Sequence, residues 1–138
     1  MDVAGIMANG TLAAVKGRAP LIVVIEDEVI VLAGYQMLFE SVGYQVVAAA
    51  SSDDALEQLD RLGEPPGCIL ADYRLKDGQT GTEAIAAVQA KFGSTIPGLL
   101  VTGDTAVDRL RHASSSGLPI LHKPVNGQHL LEVVRKLL

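Results

Sequence analysis

Short apolar runs alternate with longer amphipathic stretches along this chain, from Pro20 onward. The apolar runs predict strands near residues 21–26, 44–49, 68–72, 98–102 and 119–122. The stretches between and after them predict helices at 28–42, 53–62, 82–92, 105–116 and 127–138. Strands that are apolar throughout and alternate with helices are typical of a parallel sheet buried on both faces. We therefore expect an α/β fold, a doubly wound parallel sheet of five strands.

Several predicted helix ends carry residues that start or stop helices. Ser51 with Asp54, and Thr80 with Glu83, have the spacing of capping boxes, and Asn126 is suited to cap the last helix. Glycine favours the left-handed conformation that closes a helix, and one follows each of the first four predicted helices: Gly43, Gly63, Gly93 and Gly117.

Composition limits the classes of function. With 138 residues the chain has room for one domain, which we place at residues 20–138 after a linker or expression-derived lead at 1–19. The net charge of −5 argues against direct nucleic-acid binding. Cys68 is the single cysteine, so no intrachain disulfide can form and we expect a cytoplasmic protein. We expect no signal peptide, because Asp2 replaces the expected positive start and Gly5, Asn9 and Gly10 interrupt the apolar run. We expect no membrane span either, because no apolar stretch is long enough to cross a bilayer.

Polar residues follow four of the predicted strands at the point where each strand ends. Glu26 and Asp27 follow the first, Asp72 ends the third, Thr102 ends the fourth and Lys123 follows the fifth. Parallel strands bring such ends to one edge of the sheet, where ligands of doubly wound folds bind. Neighbouring carboxylates repel one another unless a cation is present, and oxygen ligands suit Mg²⁺. A carboxylate such as Asp72 can act as a nucleophile towards phosphorus, with a hydroxyl and an ammonium stabilising the transferred group.

Four segments in this order and spacing resemble the receiver domain of two-component response regulators, over residues 20 to 138. They are Val24-Ile25-Glu26-Asp27-Glu28, Leu70-Ala71-Asp72, Leu100-Val101-Thr102-Gly103 and His122-Lys123-Pro124. The resemblance implies a flavodoxin-like (βα)5 fold with strand order 2-1-3-4-5. It also implies that the domain is a signalling phosphoacceptor and not an enzyme in the ordinary sense.

The resemblance further implies the chemistry of the site. Asp72 would accept a phosphoryl group from a phosphohistidine on a histidine kinase or a histidine phosphotransfer protein. Asp27 and Asp72 would bind Mg²⁺ directly, Glu26 would act through water, and the backbone carbonyl of Arg74 would complete the protein ligands. Thr102 and Lys123 would contact the phosphoryl oxygens.

Two residues depart from the family pattern. Receivers often carry proline four residues after the phosphoacceptor, where this chain has Lys76 in a loop one residue longer. Three residues before the lysine, receivers usually carry a tyrosine or phenylalanine that moves on phosphorylation, and this chain has Ile120. The output signal would then depend on Thr102 and the loop 103–106, or it would be weak.

Arg74 and Asp104 lie at two positions that tune loss of the phosphoryl group in this family. One hypothesis is an ion pair across the pocket that blocks the attacking water and lengthens the lifetime of phospho-Asp72. The alternative is two solvated surface charges, whose pairing contributes roughly 0–1 kcal/mol.

The stretch from Asp72 to Gly78 is similar to the variant found in receivers of hybrid sensor histidine kinases. A linker-like start and a chain that ends in an apolar helix fit the C-terminal receiver of such a protein, and a single-domain receiver is the alternative. The last two predicted helices offer a surface for a possible homodimer.

Two other functions stay open. An aspartate-dependent phosphatase would use Asp27 as its nucleophile and needs an acid two residues later, where this chain has Val29. A receiver-like module that binds partners without phosphorylation is the second, because the aromatic residue is missing at Ile120.

Overall fold

The structure is a computed structural model that describes residues 19–103 and 115–138. Most of the predicted lead at 1–19, Asp104 and most of the predicted helix at 105–116 lie outside the described residues.

Strands and helices alternate along the described chain. In order they are β1 Leu21–Ile25, α1 Val29–Ser41, β2 Gln45–Ala49, α2 Ser52–Leu62, β3 Cys68–Asp72, α3 Gly81–Phe92, β4 Gly98–Thr102, β5 Ile120–His122 and α4 Gly127–Leu137. Each boundary lies within one residue of the position that the hydrophobic pattern predicts.

The five strands form one parallel sheet in the order β2-β1-β3-β4-β5. This confirms the expected architecture and strand order. Since β1, β3, β4 and β5 are successive neighbours, their carboxyl ends lie side by side at one edge of the sheet.

The sheet is covered on both faces, and alternate residues of each inner strand enter different halves of the core. In β1, Val23 packs with Leu59 of α2 and Ile85 of α3, whereas Val24 packs with the cluster that includes Phe39 of α1 and Leu130 of α4. All five residues of β1 and of β4 are buried, which explains why these strands read as continuous apolar runs.

The glycines at the helix ends have different outcomes. Gly63 closes α2 in the left-handed conformation as predicted, whereas Gly93 after α3 has φ 149° and ψ 129° and is not in the left-handed helical conformation.

Helix starts follow the sequence signals, with one correction. Thr80 and Glu83 form a complete capping box at α3, and Asn126 accepts a hydrogen bond from the His129 N–H. At α2 the Ser51 side chain accepts from the Asp54 N–H, but the Asp54 carboxylate accepts from the Ala50 N–H. The predicted capping box at Ser51 is therefore only half formed, because the acid reaches one residue too far back.

Cys68 is buried in β3, and this burial raises the pKa of its thiol to about 12. It therefore behaves as a small apolar core residue. Within the described residues, no helix combines the length and hydropathy that a membrane span requires.

Candidate functional site

Five predicted polar residues meet at the carboxyl edge of the sheet. Glu26 and Asp27 follow β1, Asp72 ends β3, Thr102 ends β4, and Lys123 follows β5. Four of them, all but Glu26, line a single open cleft of about 510 Å³. Backbone hydrogen bonds extend the sheet to this edge, since the Lys123 N–H donates to the Thr102 carbonyl at 2.8 Å.

Lys123 is a cation of the cleft that contacts two of the carboxylates. Its Nζ lies 3.1 Å from Asp72 Oδ1 and 3.7 Å from Glu26 Oε1. Burial lowers the pKa of Lys123, but the hydrogen bond and negative charge of Asp72 outweigh it, and the pKa is raised overall. Lys123 therefore stays charged, and it partly offsets the repulsion between the two carboxylates.

Glu26 is a buried acid with half of its hydrogen-bonding capacity unused. Its side chain is 1% exposed, and Oε2 accepts a hydrogen bond from the Glu28 N–H at 3.1 Å. Oε1 has no hydrogen-bond partner. Burial raises the pKa of Glu26, and the nearby charges of Asp72 and Asp27 raise it further. An unpartnered buried oxygen in this position favours a cation or an ordered water beside it.

Asp72 opens onto the cleft with only 11% of its side chain exposed. Burial raises its pKa, and the hydrogen bond from Lys123 opposes that rise. A desolvated carboxylate held by one ammonium is a suitable oxygen nucleophile.

Asp27 is tied to the loop that follows β3. Its Oδ2 accepts a hydrogen bond from the backbone N–H of Lys76, and both residues line the cleft. Arg74, which the resemblance implies as a carbonyl ligand, lies on the same loop and lines the same cleft.

These residues suit Mg²⁺ although they do not form a closed cage. Among residues 19–103 and 115–138, no three His, Cys, Asp or Glu side chains make a ready-formed metal-binding group. Mg²⁺ is commonly held by one or two carboxylates and keeps several waters, so the pair Asp27 and Asp72 satisfies its donor chemistry. Glu26 Oε1, which has no hydrogen-bond partner and lies 3.7 Å from Lys123 Nζ, would accept a hydrogen bond from a metal-bound water.

Three further residues were singled out in the sequence, and the structure describes two of them. Thr102 is 2% exposed and lines the cleft beside Asp72. Ile120 is half-buried in β5 and packs against the core cluster formed with α2 and α3. Asp104 lies outside the described residues, so its proposed pairing with Arg74 stays a prediction.

Sequence reasoning missed two residues of the site. Tyr35, on α1, is half-buried, and its phenol interacts electrostatically with Lys123, Glu26 and Asp72. Burial raises the pKa of Tyr35. Gly81 begins α3, and a Cβ there would come within 2.9 Å of the Asp72 carbonyl carbon. Neither residue stands at a strand end, so the pattern that identified the others could not find them.

Comparison with known proteins yields a family match. The family model of the response regulator receiver domain matches residues 22–135. The chain is 30% identical over 125 residues to the sensor protein GacS of Pseudomonas syringae pv. syringae, which is 88% of this chain and 14% of that protein. It is 29% identical over 115 residues to nodulation protein W of Bradyrhizobium diazoefficiens, covering 83% and 49% of the two chains. The chain thus spans less than half the length of either relative.

Solved structures agree on the fold. A CheY-like response regulator receiver domain protein from Methanospirillum hungatei JF-1 superposes with a TM-score of 0.72 at 25% identity, covering 86% of this chain and 92% of that one. The chemotaxis protein CheY4 of Vibrio cholerae gives a TM-score of 0.75 at 22% identity, covering 87% and 99%.

Proposed function

Because this chain belongs to the response regulator receiver domain family, we propose that it accepts a phosphoryl group on Asp72 from a phosphohistidine in a two-component phosphorelay. The observation that carries the proposal is the pairing of Asp72 with Lys123 at 3.1 Å, in an open cleft that Thr102 also lines. Residues 20–138 would constitute the receiver, as the sequence predicts.

The chain's own residues supply most of what the transfer needs. A carboxylate oxygen of Asp72 attacks phosphorus, the phosphorus–nitrogen bond to the donor imidazole breaks, and the imidazole leaves with a proton from solvent. Lys123 would move with the developing charge from the carboxylate towards a phosphoryl oxygen, and the Thr102 hydroxyl would donate to another. The product is an aspartyl phosphate and a free histidine.

Mg²⁺ is the proposed cofactor. Asp27 and Asp72 would bind it directly, the Arg74 carbonyl would add a ligand, and Glu26 would hold a bound water. When bound, the ion supplies positive charge that offsets repulsion between the carboxylates and the incoming phosphoryl group. The fit rests on the unpartnered Glu26 oxygen and the two carboxylates that share the cleft.

The proposed partner is a histidine kinase or a histidine phosphotransfer protein, docked against α1. Val29, Ile30 and Met37 on this helix are 80%, 87% and 70% exposed. A second groove, of about 510 Å³, runs between α1 and Pro124-Val125, and Glu28 and Lys123 line both this groove and the cleft. A donor protein resting on α1 would therefore lie next to Asp72.

Three further points stay proposals. The similarity to a part of the sensor protein GacS supports a receiver within a larger sensor protein, which we propose to be a hybrid sensor histidine kinase. We also propose that the domain acts in the cytoplasm. The third is a homodimer formed through the last two predicted helices. Of these, the helix at 105–116 lies mostly outside the described residues, and Leu131, Val133 and Leu137 of α4 pack against the core.

The test is phosphorylation of the full chain by phosphoramidate in the presence of Mg²⁺, followed by intact mass. We expect one phosphoryl group on the parent and on Asp53→Asn, a charge-matched control on the exposed start of α2. We expect none on Asp72→Asn. The added group should be lost in base and retained in mild acid, as an acyl phosphate requires.

Two results, one from this experiment and one from an assay with a phosphate ester, separate the alternatives. A folded parent that binds Mg²⁺ but gains no phosphoryl group would favour a module that binds partners without phosphorylation. Steady release of inorganic phosphate from a stable phosphate ester would favour the phosphatase, which the family match and Val29 at the required acid position disfavour.

A further inference from the structure

The loop between β3 and α3 is held in one shape by its own contacts. Leu75 is 5% exposed and anchors the loop in the core. The Leu75 N–H donates to the Gln79 carbonyl, and the Gly78 N–H donates to the Leu75 carbonyl, both at 3.3 Å. The Ser52 hydroxyl of α2 donates to Gln79 Oε1 at 3.0 Å. The loop is therefore fixed from the α2 side.

On the side facing β1, a hydrogen bond joins this loop to the proposed metal site. The backbone N–H of Lys76 donates to Asp27 Oδ2, joining residues 49 apart in sequence. The side chain of Lys76 plays no part in the bond. A proline at this position has no N–H and could not make it.

We propose that the backbone amide of Lys76 is a positioning group for the metal site. It occupies one oxygen of Asp27, leaves the other for the metal, and ties the loop that carries Arg74, two residues earlier, to the cleft that Asp27 and Arg74 both line. Hydrogen bonds to ligating carboxylates orient them, and their loss typically costs about 10- to 100-fold in metal affinity. This inference rests on the proposed function, since it concerns the residues that would hold Mg²⁺.

Two variants of the full chain separate the amide from the side chain. Lys76→Pro removes the N–H, whereas Lys76→Ala keeps it and removes only the exposed ammonium-bearing side chain. Mg²⁺ binding is measured by titration calorimetry, without any phosphodonor. We expect Lys76→Pro to bind Mg²⁺ about tenfold more weakly than the parent, and Lys76→Ala to bind it within about twofold.

Hydrogen exchange of the parent provides a second measurement that needs no proline variant. We expect the Lys76 amide to exchange slowly in the parent and at least tenfold faster in Asp27→Ala. If Lys76→Pro does not fold, this comparison decides the inference.

The outcomes are distinct. Unchanged or tighter Mg²⁺ binding by a folded Lys76→Pro, an equal loss in Lys76→Ala, or an unprotected Lys76 amide in the parent overturns the inference and leaves the proposed function standing. A parent that binds no Mg²⁺ defeats the proposed function together with the inference.

Discussion

At the scale of single residues, burial makes ionisation of the Glu26 and Asp72 carboxyls costly. Burial raises the pKa of both carboxyls above their ordinary values of 4.5 and 3.8. The folded protein therefore binds these protons more tightly than the unfolded chain does. Their contribution to stability is fully present below the unfolded pKa values and is lost as pH rises through the folded ones.

This linkage predicts a pH dependence that Glu26→Gln should weaken. Without Mg²⁺, the parent's free energy of unfolding should fall relative to that of the variant as pH rises from about 4 to 8, because only the parent has the Glu26 carboxyl to ionise, while Asp72 is common to both. Urea unfolding at a series of pH values measures the difference. Glu132→Gln, which changes an exposed acid on α4, should follow the parent. Parallel curves for the parent and Glu26→Gln would contradict the explanation.

At the scale of elements, the start of α3 is packed against the backbone of the proposed phosphoacceptor. The Gly81 N–H donates to the Tyr73 carbonyl at 2.8 Å. A Cβ on Gly81 would come within 2.9 Å of both the Asp72 carbonyl carbon and Leu100 Cδ2. Glycine is required here by close approach, and a side chain would push α3 away from Asp72.

Gly81→Ala should therefore destabilise the protein by about 1–3 kcal/mol through overpacking, and it should slow phosphorylation of Asp72. Gly34→Ala is the matched control, since a Cβ there meets nothing within 4 Å and the site is an exposed helix interior. That variant should gain roughly 0.5–1 kcal/mol from lower backbone entropy in the unfolded chain. Urea unfolding and intact mass measure both effects. The packing argument fails if the two substitutions change stability in the same direction.

Part of the candidate site could be predicted from the sequence, and part could not. The site residues Asp72, Thr102 and Lys123 were predictable because parallel strands place their carboxyl ends at one edge of a sheet. The hydrogen bond from Lys76 to Asp27 could not be predicted, because its donor is a backbone N–H, which every residue except proline has. The exposed face of α1 was not predictable either, since Val29 to Phe39 contains no charged residue that would identify a solvent side.

At the scale of the whole molecule, the largest exposed apolar side chains of the described residues are concentrated on α1, next to the cleft. Ile30 and Met37 are seven residues apart and hence on one face of the helix, two turns from each other. Glu28 and Lys123 connect this side of the molecule to Asp72 through the groove and the cleft they share. Exposed apolar side chains do not stabilise a monomer, and their concentration on this helix is why we propose α1 as the docking surface for the phosphodonor protein.

Ile30→Gln with Met37→Gln should therefore separate two kinds of phosphorylation. Transfer from a histidine phosphotransfer protein that phosphorylates the parent should fall at least tenfold, about 1.4 kcal/mol of lost transition-state binding. Phosphorylation by phosphoramidate and the free energy of unfolding, within about 0.5 kcal/mol, should stay unchanged, because these side chains contact solvent. Leu62→Gln at the end of α2, 48% exposed, should leave both reactions unaffected. Equal loss with the protein and the small donor would place the defect in the cleft, and no loss with either would exclude α1 as the docking surface.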